Sequence, residues 1–400
     1  MNRVLKIAIA LALTVILTGL LMRNSPALRR NVSARDSVAY WAASHLLVHR
    51  QDPYNHGAVM DLEIEQGYRE SHPLVLRTPP WSLFLVLPLG WLSAFKAWIT
   101  WLALLLGCLV LGLRLTRKLY DPGASTQNLL AIVVYTFAPV PACLVSGQMG
   151  LVLMLGVVLF LWLHEERPYW AGAALLLPFA KPHLLSLFWL TLAVWIVSQK
   201  KAKIAIGFAA AFVGVTLAAL IFDPHAFAHY HEMMQVAAIQ KEFIPALSGV
   251  LRLLFFRRLF WMQFVPMVVG LGWCAYYFIR NHHHWDWRQH GPALLVVSVL
   301  VTPYGWLSDE TVVLPAIVQA TVILYGIRHS LRAWSKLMLG FFVFLNLLLL
   351  LILRFKIPFS TGIYFWSSLV WFGFYFYALR LQTRTLRSDT ETPSSEALPS

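Results

Sequence analysis

The sequence predicts an all-α, polytopic integral membrane protein: a helical bundle of about 12 transmembrane helices whose large first outer loop carries interfacial helices. Three observations predict it. Of the 400 residues, 59% are hydrophobic and only 12% charged, with a mean hydropathy of +0.65, whereas soluble domains are charged at about a quarter of their positions. Apolar runs such as Val4 to Met22, Trp98 to Leu113, Ile204 to Phe222 and Leu337 to Leu353 approach or match the roughly 20 helical residues that cross about 30 Å of hydrocarbon. The alternating segments of about 10 residues that mark a membrane barrel are absent, so helices must satisfy the backbone.

Taken in order, the first apolar run follows Arg3 and Lys6 and precedes a small-residue stretch, Ser25-Pro26-Ala27. The run is longer than a signal-peptide core, so it reads as an uncleaved anchor with a cytoplasmic N-terminus. Crossings then fit at 4-22, 94-117, 127-144, 148-164, 168-181, 183-198, 203-222, 262-280, 290-302, 310-328, 334-354 and 358-380. The apolar stretch 79-92 reads as re-entrant or interfacial. One transmembrane domain covers 1-387, with outer loops 23-78 and 223-261; the Ser, Thr, Pro and Glu of 388-400 read as a disordered cytoplasmic tail.

This arrangement puts seventeen Lys and Arg inside, including Arg114, Lys118, the Lys200-Lys201-Lys203 cluster and Arg288. Only Lys96, Lys181, Arg354 and Lys356 fall at short outer turns, as the positive-inside rule requires. Seven arginines of the first outer loop run against the rule. At 56 residues that loop is near the length where the rule weakens, and its arginines are suited to membrane lipid phosphates.

The net charge of +14 is scattered between apolar segments, which excludes nucleic acid as the natural partner. Cys108, Cys143 and Cys274 lie in apolar runs without metal-ligand spacing, so they read as packing residues, and no metal or other cofactor is indicated.

The candidate site starts in the first outer loop. Ser33-Ala-Arg-Asp36 has capping-box spacing and opens an expected helix over 34-49. By spacing alone, Asp36 reads more simply as a helix-terminal carboxylate than as a catalytic one. Asp52-Pro53-Tyr54 then forms a turn, and Arg77-Thr78-Pro79-Pro80-Trp81 leads back into the membrane, its prolines leaving backbone groups free to line a cavity. Farther on come Ser146-Gly147-Gln148, Ala180-Lys181-Pro182 and Val301-Thr302-Pro303-Tyr304-Gly305-Trp306. In the charge-derived topology Asp36, Asp52, Gln148, Lys181, His183, Asp223, His225, Asp309 and Glu310 all fall at outer helix ends. Polar residues collect at helix ends for ordinary reasons, which accounts for about half of that set.

These motifs, in this order over about 30 to 320, resemble glycosyltransferase family 87, membrane enzymes of the GT-C class. Two departures fall at Thr78, where an aromatic is common, and at Ser308-Asp309-Glu310, where polar or His residues follow the late motif. The resemblance implies a GT-C-like fold and transfer of a hexose, chiefly mannose, from a polyprenyl-phosphate donor to a lipid or glycan acceptor on the non-cytoplasmic face of the cell membrane, with inversion. A hydroxyl attacking an anomeric carbon needs a base, and Asp36 is the candidate. The leaving phosphate needs a cation; Lys181 and Arg77 are the candidates, with Arg252, Arg257 and Arg258 behind them. Substrate contacts are expected from Tyr40, Asp52, Tyr54, Gln148, His183 and Asp309.

His225, His229, His231 and Glu232 read as surface residues of the second outer loop, and His282-His283-His284 lies on the cytoplasmic side. The alternative function is a transporter or flippase of a lipid-linked or small polar solute. Mid-span ionisable residues and duplicated halves would mark it, and neither pattern is visible in the sequence.

Overall fold

The computed structural model describes residues 36–121, 126–236, 244, 246–255, 258–327, 332–354 and 364–391. The expected first crossing at 4-22 and residue Ser33 lie outside the described residues, as do 392–400. Among the described residues there is no strand, and the helices are α1 (Ser37–Val48), α2 (His56–Glu65), α3 (Ala94–Tyr120), α4 (Gln127–Thr136), α5 (Pro139–Ser146), α6 (Gly150–Leu163), α7 (Pro168–Ala174), α8 (Ser186–Ser198), α9 (Ala202–Phe222), α10 (Ala226–Val236), α11 (Leu247–Phe255), α12 (Val265–Asn281), α13 (Trp287–Val301), α14 (Leu314–Gly326), α15 (Arg332–Arg354) and α16 (Ser367–Glu391). Short 3-10 turns join several of them, notably Pro80–Leu85, Leu87–Trp91, Pro178–Ala180, Pro182–Leu185 and Leu307–Val313.

Five described helices are long and apolar enough to cross a membrane: Ala94–Tyr120, Ala202–Phe222, Phe260–His284, Leu307–Gly326 and Ala333–Ile352. Counting each of two bent pairs as one span gives seven. The expected twelve crossings are consistent with this polytopic helical arrangement; 4-22 lies outside the described residues, and α6, α8 and α13, with 14, 13 and 15 residues, rise only about 20 Å each. The span Leu307–Gly326 is 83% buried and central, whereas Ala202–Phe222 is 17% buried and peripheral. The central position is the one that carries Asp309.

Both bent pairs have chemical causes. The pair α4 and α5 turns by 53° at Phe137-Ala138-Pro139, where a proline removes one donor and disrupts the ladder. The amide of Ala138 would be stranded at that break, and Asn346 of α15 accepts its hydrogen at 2.7 Å, which meets the demand for satisfied backbone in an apolar surround. The other pair turns by 114° between Pro168–Ala180 and Pro182–Ser198. Pro182 disfavours helical backbone at Lys181, whose φ of −132° and ψ of 70° lie outside the helix. The expected spans 168-181 and 183-198 thus meet in a sharp proline-bounded turn. Close packing fixes α7 against α9: a Cβ at Gly172 or Gly207 would strike the carbonyl of Ile204 or Tyr169, so the two backbones touch through small residues.

The helix α3, about 40 Å long by its rise per residue, has chemically different ends. Near its start, the Trp101 indole donates to the Gly147 carbonyl at 2.7 Å. At its far end, the Tyr120 hydroxyl donates to the Arg288 carbonyl at 2.9 Å, and Arg288 pairs with Glu165 at 3.0 Å. Two expected boundaries move. The helix expected over 34-49 is seen from Ser37 to Val48, and α16 continues to Glu391, so the residues from 388 begin as helix. The stretch 79-92 forms two 3-10 turns, not a span.

Candidate functional site

The site begins where α1 begins. Asp36 occupies the N-cap position of α1, half-buried, and its side chain caps no described N–H. Its Oδ2 instead accepts from Gln148 Nε2 at 2.7 Å. One turn along, Tyr40 donates its hydroxyl to Gln148 Oε1 at 2.8 Å, while its ring meets Trp101 edge to face at 5.3 Å. Residues four apart share one helix face, so α1 presents Asp36 and Tyr40 together to Gln148.

Gln148 is placed by the link between α5 and α6. Gly147 ends α5 with φ of +75°, a left-handed conformation that favours glycine. A side chain there would also collide with Ser37 at the start of α1. Gly150, two residues beyond Gln148, lies against the Ser308 carbonyl, with no room for a Cβ. The two glycines therefore let Gln148 sit between α1 on one side and the turn Leu307–Val313 on the other.

Lys181 enters from the proline-bounded turn. Its Nζ donates to Asp309 Oδ1 at 2.7 Å and to Gln148 Oε1 at 3.1 Å. Asp309 is buried, and its Oδ2 accepts the Trp306 amide at 3.2 Å, which fixes the carboxylate at the start of that turn. The result is a connected chain, Asp36 to Gln148 to Lys181 to Asp309, with Tyr40 on the amide. Burial raises the Asp36 carboxyl above the usual carboxylate range; the Gln148 hydrogen bond and the Lys181 charge oppose the rise, and Asp309 adds to it. His183 lies two residues past Lys181 and is exposed, its ring edge-on to Tyr304 at 6.0 Å.

Other sequence-derived candidates fall elsewhere. Asp52 accepts the Tyr54 amide at 2.8 Å, an Asx turn. Tyr54 is buried and donates to the Thr78 carbonyl at 3.0 Å, holding the D-P-Y turn against the residue just before Pro79-Pro80. Arg77 is exposed and lies near His56, whose imidazole is pushed down by burial first and by the Arg77 charge second. Thus Asp36, Tyr40, Gln148, Lys181 and Asp309 are hydrogen-bonded together and His183 adjoins them, whereas Asp52 and Tyr54 bond within the loop turn.

Glu63 escaped the sequence reading, and so did the partners of Glu310 and of Asp52. Glu63 is fully buried in the first outer loop; its Oε2 accepts the Leu74 amide at 3.0 Å and its Oε1 has no partner. Burial raises its carboxyl to about 7, the Leu74 hydrogen bond lowers it, and the Asp36 charge raises it further. The signal was present in the spacing: Val59 and Glu63 are the buried positions of α2, one turn apart. Glu310, also buried, accepts from Ser367 Oγ at 2.7 Å and from Trp371 Nε1 at 2.7 Å, tying α16 to the turn that holds Asp309. Asp52 also meets His229, and through it Asp223, from the second outer loop.

A cavity of about 450 Å³ lined by Trp41, His45, His49 and Trp91 opens beside α1. At 100° per residue it lies on the face of α1 opposite Asp36 and Tyr40.

A model of glycosyltransferase family 87 matches residues 78–303, more than half of the chain. That stretch includes the Pro79-Pro80 pair, Gln148, Lys181 and the second outer loop, and it begins after Asp36 and ends before Asp309. No curated protein matches the chain, and no solved structure does. On the family match and its apolar helices, the protein belongs to glycosyltransferase family 87 and is a membrane glycosyltransferase.

Proposed function

We propose that the protein moves a hexose, mannose by preference, from a polyprenyl-phosphate donor to a hydroxyl of a lipid or glycan acceptor on the non-cytoplasmic face. The observation that carries this reading is Asp36. One of its oxygens is held by Gln148 and the other has no hydrogen-bond partner among the described residues, in a half-buried position that raises the proton affinity of the group. A carboxylate so placed is a stronger base than one in water and can take the proton of an attacking hydroxyl.

In the reaction, the acceptor oxygen bonds to the anomeric carbon as its proton passes to Asp36. The carbon–oxygen bond to phosphate breaks with its electron pair, and the lipid phosphate departs from the opposite face, giving inversion. Lys181 supports that departure. Asp309 and Gln148 take two of its three N–H groups, and the third would serve a phosphate oxygen. Gln148 couples the two roles, because its amide touches both base and cation. Asp52 and Tyr54 are held in the loop turn, and Arg77, exposed on the same loop, is the second cation proposed for the phosphate. His183 and Tyr40 are the proposed sugar contacts.

The test is transfer by purified protein supplied with polyprenyl-phosphate mannose and a lipid-extract acceptor. Asp36→Asn keeps the shape of the side chain and removes the base, so the rate should fall by roughly 10²–10⁴ with the melting temperature near wild type. Transfer at wild-type rate in a well-folded Asp36→Asn protein would sink the assignment.

A further inference from the structure

We propose that Asp52, Asp223 and His229 form a divalent-metal site of the zinc type that clasps the first outer loop to the second. One ligand atom from each residue lies within 4.8 Å of the others. The His229 Nδ1 is 2.8 Å from Asp223 Oδ2 and 3.5 Å from Asp52 Oδ1. Donors on a tetrahedral zinc, bound at about 2.0–2.1 Å, stand roughly 3.3 Å apart, so these two separations bracket the spacing a metal requires. A small inward movement of the Asp52 carboxylate would close the third edge.

The ligands are pre-set by their own backbones. Asp223 follows the last residue of α9, and its Oδ1 accepts the His225 amide at 2.9 Å, which leaves Oδ2 directed at His229 one turn into α10. Asp52 is likewise held by the Tyr54 amide at 2.8 Å. Partners of this kind orient a metal ligand before the ion arrives. Asp223 is nearly enclosed, while the Asp52 and His229 side chains are 24% and 26% accessible. One face is thus open to water, or to Glu232, the next carboxylate of α10, as a fourth ligand. Two carboxylates facing one imidazole leave a net negative charge in either form of the ring, and a divalent cation cancels it.

The consequence of such a clasp lies in the loop geometry. Tyr54, next to the site, packs edge-on against Tyr230 of α10 at 5.4 Å and holds the Thr78 carbonyl. Beyond Pro79-Pro80, the Trp81 indole donates to the Phe179 carbonyl at 3.0 Å, two residues from Lys181. The clasp shares no ligand with the Asp36 cluster and stands or falls separately from the proposed chemistry there.

The experiment titrates zinc ion alone into the metal-stripped full chain, purified in detergent with any affinity tag removed, and reads binding by calorimetry and bound metal by mass spectrometry. We expect one zinc per chain, a rise in melting temperature, and binding weakened about tenfold or more in Asp223→Asn and His229→Gln. A protein with His282, His283 and His284 all changed to Ala should bind as wild type. X-ray absorption at the zinc edge of the wild-type protein should read one imidazole with oxygen donors at about 2.0–2.2 Å. Absence of stoichiometric binding in wild type, unaltered binding in both variants, or an edge spectrum dominated by several imidazoles would each overturn the site. The spectrum requires no variant to fold.

Discussion

At the scale of single residues, Gln148 organises the site. Its amide is oriented by opposite demands: Nε2 faces the Asp36 carboxylate, and Oε1 faces the Tyr40 hydroxyl and the Lys181 ammonium. Lys181 and Asp309 form a close pair at 2.7 Å with side chains 13% and 3% accessible. Removing one partner of such a pair leaves an uncompensated charge and costs about 3–5 kcal/mol. Lys181→Met should therefore lose both stability and transfer. The double variant Lys181→Met with Asp309→Asn should recover most of the melting temperature while transfer stays down by about 10²–10³. Recovery of transfer along with stability would mean that the lysine only balances Asp309.

At the scale of elements, the first outer loop is held by a buried acid. Glu63 joins α2 to the Leu74 amide, and its folded-state pKa of about 7 lies above the ordinary 4.5. The sign follows from proton binding. Between those two values the folded loop holds a proton that the opened loop releases, so stability is full below about 4.5 and falls as pH rises towards 7. A shift of this size sets an upper bound of about 3 kcal/mol. Hydrogen–deuterium exchange in α2 should be slower at pH 5 than at pH 8 in the wild type, after correction for the intrinsic rate. Glu63→Gln, neutral throughout, should flatten that difference and protect α2 at pH 8. An equal pH dependence in both proteins would show that Glu63 is not the titrating group.

At the scale of the whole molecule, polar chemistry separates to the two ends of the helical bundle. The Asp36 cluster lies near the start of α3, where Trp101 holds Gly147, and the Arg288–Glu165 pair lies at its finish beside Tyr120. If the charge-derived orientation holds, a cysteine at exposed Gln51 should react with a membrane-impermeant maleimide on intact cells. One at exposed Glu166 should react only after permeabilisation. The native thiols Cys108, Cys143 and Cys274 are free and buried, so the background is low. Labelling in the reverse order would invert the membrane face of the site.

How much was legible follows from what each residue depends on. Composition and apolar runs determined an all-helical membrane protein, because hydrocarbon leaves the backbone no other open arrangement. The prolines and glycines marked the right joints, at Pro139, Gly147 and Pro182, because backbone permissions are local properties of the chain. Asp36, Tyr40, Gln148, Lys181 and Asp309 could be named from motifs, but their connection could not: Asp36 and Gln148 are 112 positions apart, Lys181 and Asp309 128. The same motif logic grouped Asp52 and Tyr54 with them, whereas folding joins Asp52 to His229 and turns Tyr54 onto Thr78. The number of spans was not legible from hydropathy alone, because hydropathy sees apolar length and not where a helix of 13 or 14 residues ends. What the sequence determined by itself was the class, the joints and the cast of polar residues, since these are set by local chemistry. Which of those residues share one hydrogen-bonded site was decided only in three dimensions, since partner choice depends on how α1, the link at Gln148, the turn at Lys181 and the turn at Asp309 pack against one another.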